Sequence, residues 1–200
     1  MSPEPFLYPT QPHCRKHGPS GYSDYADYKD WLRDEFDFRC VYCLRREMWE
    51  RRRAIWVVEH LVPRSQRKDL ATTYTNLVLA CTTCNSWKSV DRMPDPCKLA
   101  YGSLVSVTDN GTITPHCADG RRLIRVASLD DPDATRWRRQ EILISKNLKR
   151  HEPEAYRIRM GFPDKLPDLL NTRTRNNTKP EGAKYCRFEQ KKAGLLPGFY

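Results

Sequence analysis

The chain contains no run approaching the roughly 18 apolar residues that a membrane-spanning helix requires. Its opening, Met1-Ser-Pro-Glu-Pro, has neither a cationic start nor an apolar stretch, so no secretory leader is expected and a cytoplasmic location is. It also lacks internal repeats beyond one short cysteine spacing used twice. Acidic residues are in deficit: 25 Asp and Glu face 35 Lys and Arg, for a formal net charge of +10. Such an excess excludes a polycationic partner and favours a polyanion, which a basic surface binds by releasing counterions.

At 200 residues the chain can bury one proper core. The basic residues cluster at Arg45-Arg46, Arg51-Arg52-Arg53, Arg64 to Lys68, and Arg136 to Arg139. Eight cysteines are present, but their pattern is not that of a disulfide framework. Cys40-Val-Tyr-Cys43 and Cys81-Thr-Thr-Cys84 form two pairs, each with a two-residue gap that lets both sulfurs reach one tetrahedral ion. Cys14, Cys97, Cys117 and Cys186 are scattered and are read as reduced thiols; a second metal site drawing on Cys97, His116 or Cys117 is the alternative. His13, Cys14 and His17 have ligand chemistry but no further ligand nearby. They are read as an incidental surface group.

Between and beside the paired cysteines lie residues of another chemical kind: Glu59-His60, Asn76-Leu77 and Asn85, with Lys88 three positions on. A carboxylate, an imidazole and a carboxamide suit a hard divalent cation and water activation rather than a closed thiolate site. Taken in order, Cys40, Cys43, Glu59-His60, Pro63, Asn76-Leu77, Cys81, Cys84, Asn85 and Lys88 resemble the HNH endonucleases, the ββα-metal nucleases. The resemblance is strong over about a quarter of the chain. It implies an α+β fold with a small ββα-metal core carrying zinc knuckles on Cys40, Cys43, Cys81 and Cys84. It also implies His60 as general base and Glu59 with Asn85 as ligands of a catalytic Mg²⁺ or Mn²⁺. Asn76 then holds the loop after the first strand and so positions His60. On this reading Lys88, Arg51, Arg52, Arg53, Arg64, Arg67 and Lys68 contact substrate phosphates. The substrate is nucleic acid, with DNA expected. A role as effector in restriction or antiviral defence, with a regulatory protein partner, is one biological setting such nucleases resemble. The rival reading is a catalytically silent zinc module that binds nucleic acid or protein.

The local pattern divides the chain into an extended arm over 1–22, a nuclease core over 23–95, a hairpin-plus-helix extension over 96–160, and a partly irregular tail over 161–200. Tyr25, Tyr28, Leu32 and Phe36 have helical spacing, with Ser23 as N-cap and a solvated Asp/Lys/Arg face. The run 54–58 predicts a strand leading into Glu59-His60, residues 76–80 a second strand, and 82–92 a helix. Adjacent side chains on a regular strand point to opposite faces. Glu59 and His60 can therefore share a site only if the chain bends there. Beyond Pro96, 104–107 and 111–113 predict a hairpin about Asp109-Asn110-Gly111, 123–127 a strand, and 133–149 a helix. A loop is expected over 171–184, and 195–200 is apolar enough to dock. Trp49, Trp56 and Trp87 are expected in the core.

Overall fold

The computed structural model describes residues 4–50, 55–172 and 180–199. Its centre is an antiparallel pair, β1 (Trp56–His60) and β2 (Leu77–Cys81), in the register Trp56↔Cys81, Val58↔Leu79 and His60↔Leu77. All five residues of β2 are buried, as expected of an apolar strand covered on both faces. Helix α1 (Lys29–Glu35) packs against this hairpin, and α2 (Thr82–Lys88) follows β2 without a linker. The sequence therefore folds as strand, loop, strand, helix, within an α+β chain.

The two cysteine pairs meet because β2 carries the second to the first. The amide of Val41 donates to the Leu79 carbonyl at 3.0 Å, which fixes the first knuckle on the strand. Within that knuckle Leu44 donates to Cys40, and Leu44 itself turns with φ +58. Helix α2 ends at Ser89, whose φ of +50 turns the chain, so it stops short of the predicted 92.

Several expectations are corrected. The cap of the first helical segment is Asp24, not Ser23: Asp24 accepts from the amide of Ala26, opening a 3-10 turn at Tyr25–Tyr28 that runs into α1. The charged face of α1 is not solvated. Arg33, Asp34 and Glu35 are buried and each is compensated from another segment. Arg33 donates to both carboxylate oxygens of Glu47 at 2.8 and 2.9 Å. His17 Nε2 lies 2.9 Å from Asp34, and His13 Nε2 lies 2.7 Å from Glu35. Far from being an incidental surface group, these two histidines are the clasps that fasten the N-terminal arm to α1. Glu35 further accepts from the amides of Lys16 and His17 and from the hydroxyl of Tyr74; burial pushes its carboxyl up, but the His13 hydrogen bond, the His17 charge and the Lys16 amide outweigh it and hold the carboxyl below the usual range.

Beyond the core, α3 (Tyr101–Leu104) leads into a hairpin of β3 (Val105–Val107) and β4 (Ile113–Pro115), as the Asp-Asn-Gly turn requires. The predicted strand at 123–127 is instead part of α4 (Ala118–Val126). Gly120, Leu123, Ile124 and Ala127 are buried at helical spacing, while Arg121, Arg122 and Arg125 face out, so the 3.6-residue period overrides local β preference. Helix α5 (Pro132–His151) is capped by Asp131 and starts on Pro132, which suits a first helical turn. It is followed by α6 (Pro153–Met160).

In the tail, α7 (Pro180–Lys184) replaces the end of the expected loop, and α8 (Arg187–Lys192) follows it. The amide of Arg187 donates to Asp34 at 2.7 Å, so both ends of the chain close on the same buried carboxylate. Gly182 permits this approach: a Cβ there would stand 2.2 Å from the Lys16 carbonyl oxygen. Leu195 does not dock, being largely exposed. Trp56 is in the core, Trp49 packs edge-on against Phe6 and Trp137, and Trp87 departs from expectation at 59% exposed.

Candidate active site and metal centre

The four paired cysteines converge in one buried cluster, with all four Sγ atoms within 4.8 Å of one another. A tetrahedral zinc with Zn–S near 2.3 Å requires sulfurs about 3.8 Å apart. Cys43 and Cys81 are separated by 3.8 Å, so the donor set fits the ion in type, number and spacing. Hydrogen bonding to Cys40 and the neighbouring sulfurs raises the Cys43 and Cys84 thiols and lowers Cys81. Four crowded sulfurs cannot all ionise without a cation among them. Arg45 and Arg138 lie beside the cluster in a cleft shared with Trp87 and Trp137, where their charge offsets that of a four-thiolate site. It is the one such ligand group among the described residues. The other four cysteines are free thiols.

On the far side of α2 a cleft of about 550 Å³ is lined by Glu59, His60, Arg64 and Asn85, together with Tyr25, Lys29, Ser65 and Ser89. Glu59 and His60 thus reach one cavity although they are neighbours on a strand. The bend needed for this is visible: β1 ends at His60, and Glu59 Oε1 curls back to accept the amide hydrogen of His60 at 2.8 Å. Beyond it Leu61 donates to the Asn76 carbonyl and the strand pairing ceases.

His60 Nε2 lies 2.9 Å from the carbonyl oxygen of Ala71. A carbonyl only accepts, so Nε2 carries the hydrogen and Nδ1 holds the lone pair in the neutral ring. Burial lowers the His60 pKa, with Arg64 and Lys88 adding to the shift and the Ala71 hydrogen bond opposing it. The imidazole is therefore neutral at pH 7 and able to accept a proton at Nδ1. Tyr25 packs edge-on against it, with ring centroids 4.8 Å apart, and Arg64 lies 4.7 Å above the Tyr25 ring.

Asn76 does not line the cleft. Its Oδ1 accepts from the Val62 amide at 2.9 Å, and its Nδ2 donates to the Val62 and Leu70 carbonyls at 3.1 and 3.3 Å. The side chain therefore spans both ends of the loop that carries Ala71. Asn85 is partly buried at the cleft wall. Glu59 and Asn85, a carboxylate and a carboxamide lining one cleft, are a sparse donor set of the kind that would suit Mg²⁺ or Mn²⁺, ions that keep several water ligands.

Lys88 is corrected as a phosphate contact. Its side chain is fully buried and its Nζ lies 2.8 Å from Glu59 Oε1. Burial raises the Glu59 carboxyl, and this ion pair works against the rise. Arg67 is exposed but already paired with Asp69, at 2.8 Å through Nε, whereas Lys68 is exposed. Of the other basic clusters, Arg46 and Arg138 are buried and face carbonyls rather than solvent. Arg51, Arg52 and Arg53 lie outside the described residues. Tyr25 and Lys29 are site residues that the motif could not supply. They come from the helical segment ahead of the first cysteine pair, and no spacing relates them to His60.

No helix among the described residues is long and apolar enough to cross a membrane. No curated protein matches the chain in sequence comparison. Residues 40–91 match the family of the HNH endonuclease, a match that spans both cysteine pairs, β1, β2 and α2, and supports nuclease chemistry on nucleic acid in general.

Proposed function

We propose that this chain is a divalent-cation-dependent endonuclease that hydrolyses phosphodiester bonds in DNA. The observation that carries the reading is the hydrogen bond of His60 within the region that matches the HNH endonuclease: Nε2 is committed to Ala71, which leaves Nδ1 as the lone-pair nitrogen of a residue that lines the cleft. In this mechanism Nδ1 takes a proton from the attacking water, a contribution of about 10² to 10⁴ in rate for a well-placed base. Glu59 and Asn85 hold Mg²⁺ or Mn²⁺, which when bound neutralises charge on the phosphate and on the leaving 3′-oxygen. Arg64 and Lys29 steady the flanking phosphates, and Asn76 keeps the Ala71 loop in place. The zinc cluster would tie the start of α2, which carries Asn85, to the first cysteine knuckle on β2.

A second reading, a silent zinc module, draws support from the Lys88–Glu59 pair, because one oxygen of the expected metal ligand is already engaged. Plasmid cleavage separates the two. Purified protein is incubated with Mg²⁺, Mn²⁺, Zn²⁺ or EDTA, with His60→Ala alongside, and the products are read on a gel. Metal-dependent cutting by the wild type alone supports the nuclease. Its absence with every ion leaves the binding module. A place in restriction or antiviral defence, with a protein partner restraining the enzyme, extends this proposal.

A further inference from the structure

Lys88 sits in the last turn of α2, three residues past Asn85, with 0% of its side chain exposed. Its ammonium lies 2.8 Å from Glu59 Oε1 and has no other polar partner among the described residues. Burying a lone ammonium is costly, so the pair must be retained or lost as a unit. The same Oε1 also accepts the His60 amide hydrogen. Both contacts thus fall on one oxygen of a carboxylate that lines the cleft. The negative charge of Glu59 is already matched by a cation that cannot diffuse away. A dication arriving at the cleft meets a nearly neutral pair and, within a few ångströms, a like charge poorly screened by water.

We propose that Lys88 is a positioning residue that competes with the divalent cation for Glu59, so that the cation is held firmly only when substrate phosphate brings the charge that Lys88 cancels. The inference rests on the assignment of Glu59 as a metal ligand. Free enzyme then carries little catalytic metal, and loading is coupled to nucleic-acid binding. By reciprocity, metal strengthens the hold on phosphate by the same factor.

Mn²⁺ binding, followed by electron paramagnetic resonance of the zinc-loaded protein, tests this in the non-cleaving His60→Ala background. Without DNA, Lys88→Met should bind Mn²⁺ at least about tenfold more tightly than its parent, a modest figure for removing a unit charge a few ångströms away. Lys88→Arg, which keeps the charge, should resemble the parent. With a DNA duplex present the gap between Lys88→Met and the parent should narrow. Equal Mn²⁺ affinities of the parent and Lys88→Met without DNA overturn the inference while leaving the nuclease reading intact. Failure of all the proteins to bind Mn²⁺ even with DNA removes the metal role of Glu59, and the inference with it. Should Lys88→Met not fold, the parent suffices: with a DNA duplex present the nitrogen resonance of the Lys88 ammonium should shift as Mg²⁺ is added, and much less without DNA. An unmoved resonance with DNA at a Mg²⁺ concentration that supports cleavage, or an equal shift without DNA, overturns the proposal.

Discussion

The Nε2 hydrogen of His60 is held by the carbonyl oxygen of Ala71 at 2.9 Å, eleven residues along the chain. A backbone acceptor fixes the tautomer without adding charge. The ring consequently keeps its lone pair on Nδ1, and burial lowers its pKa below the ordinary histidine value.

His60→Ala should lower single-turnover cleavage by about 10² to 10⁴ with zinc content unchanged. The pH dependence follows from the lowered pKa. Because the neutral ring is the active form, the acid limb of the rate profile should fall below the ordinary histidine value of about 6.5. The stability contribution has the same sign. The folded state binds the proton less readily than the unfolded chain, so this contribution is complete above about 6.5 and declines as pH falls toward the folded pKa. A rate that still climbs above pH 7.5, measured with saturating metal, would contradict the assignment.

Asn76→Ala removes three hydrogen bonds that tie Val62 to Leu70. It leaves a buried amide and two carbonyls in want of partners, at a cost of about 1–3 kcal/mol in stability. Since the Ala71 carbonyl rides on the same loop, cleavage should fall together with stability, without any change in bound zinc. Asn76→Asp keeps the acceptor for the Val62 amide but turns the donor into a second acceptor facing carbonyls. It should be at least as damaging in thermal melts.

The zinc cluster makes the opposite separation. Cys40→Ser or Cys84→Ser should reduce zinc content and melting temperature together, because binding energy at a structural site is folding energy. Glu59→Ala or Asn85→Ala should retain about one zinc per chain, as a four-cysteine site predicts, and respond less steeply to Mg²⁺. Zinc measured by atomic absorption on both sets decides it; full zinc and a normal melt in the cysteine variants would dismiss the four-thiolate site.

The ββα core was legible in the sequence because its constraints are local or chemically specific. Two cysteine pairs can meet only if the intervening chain doubles back, and the β-branched run before Glu59 supplies the first strand of that turn. What was illegible depends on partners distant in sequence. Asp34 and Glu35 look like solvent-facing members of an alternating charged helix; they are buried because His17, His13 and the Arg187 amide come from more than 15 residues away. Lys88 has the position of a phosphate contact, yet it lies on the inward side of a helix whose neighbour is Glu59. Leu123 to Ala127 has the composition of a strand, and only the wider spacing of Gly120, Leu123, Ile124 and Ala127 discloses a helix. Tyr25 and Lys29 line the cleft because the 3-10 turn and α1 pack on the hairpin, a tertiary fact with no motif behind it.

The last prediction concerns which cations grip the substrate. Arg64 is exposed at the cleft, stacked over Tyr25, and Lys29 lines the same cleft; neither is in an ion pair with an acid among the described residues. Arg67, only three positions from Arg64, is already bridged to Asp69 through two nitrogens. If Arg64 and Lys29 contact phosphates, Arg64→Gln and Lys29→Gln should each weaken binding to all duplex sequences alike. Each should also lower the slope of log affinity against log salt by about one unit. Arg67→Gln should leave the slope nearly unchanged, since the charge it removes is compensated and surface pairs of that kind contribute little. Anisotropy titrations at several salt concentrations in the His60→Ala background measure all three. A drop in slope for Arg67→Gln equal to that for Arg64→Gln would show that the Asp69 pair opens on binding and that the basic loop, rather than the cleft wall alone, carries the nucleic acid.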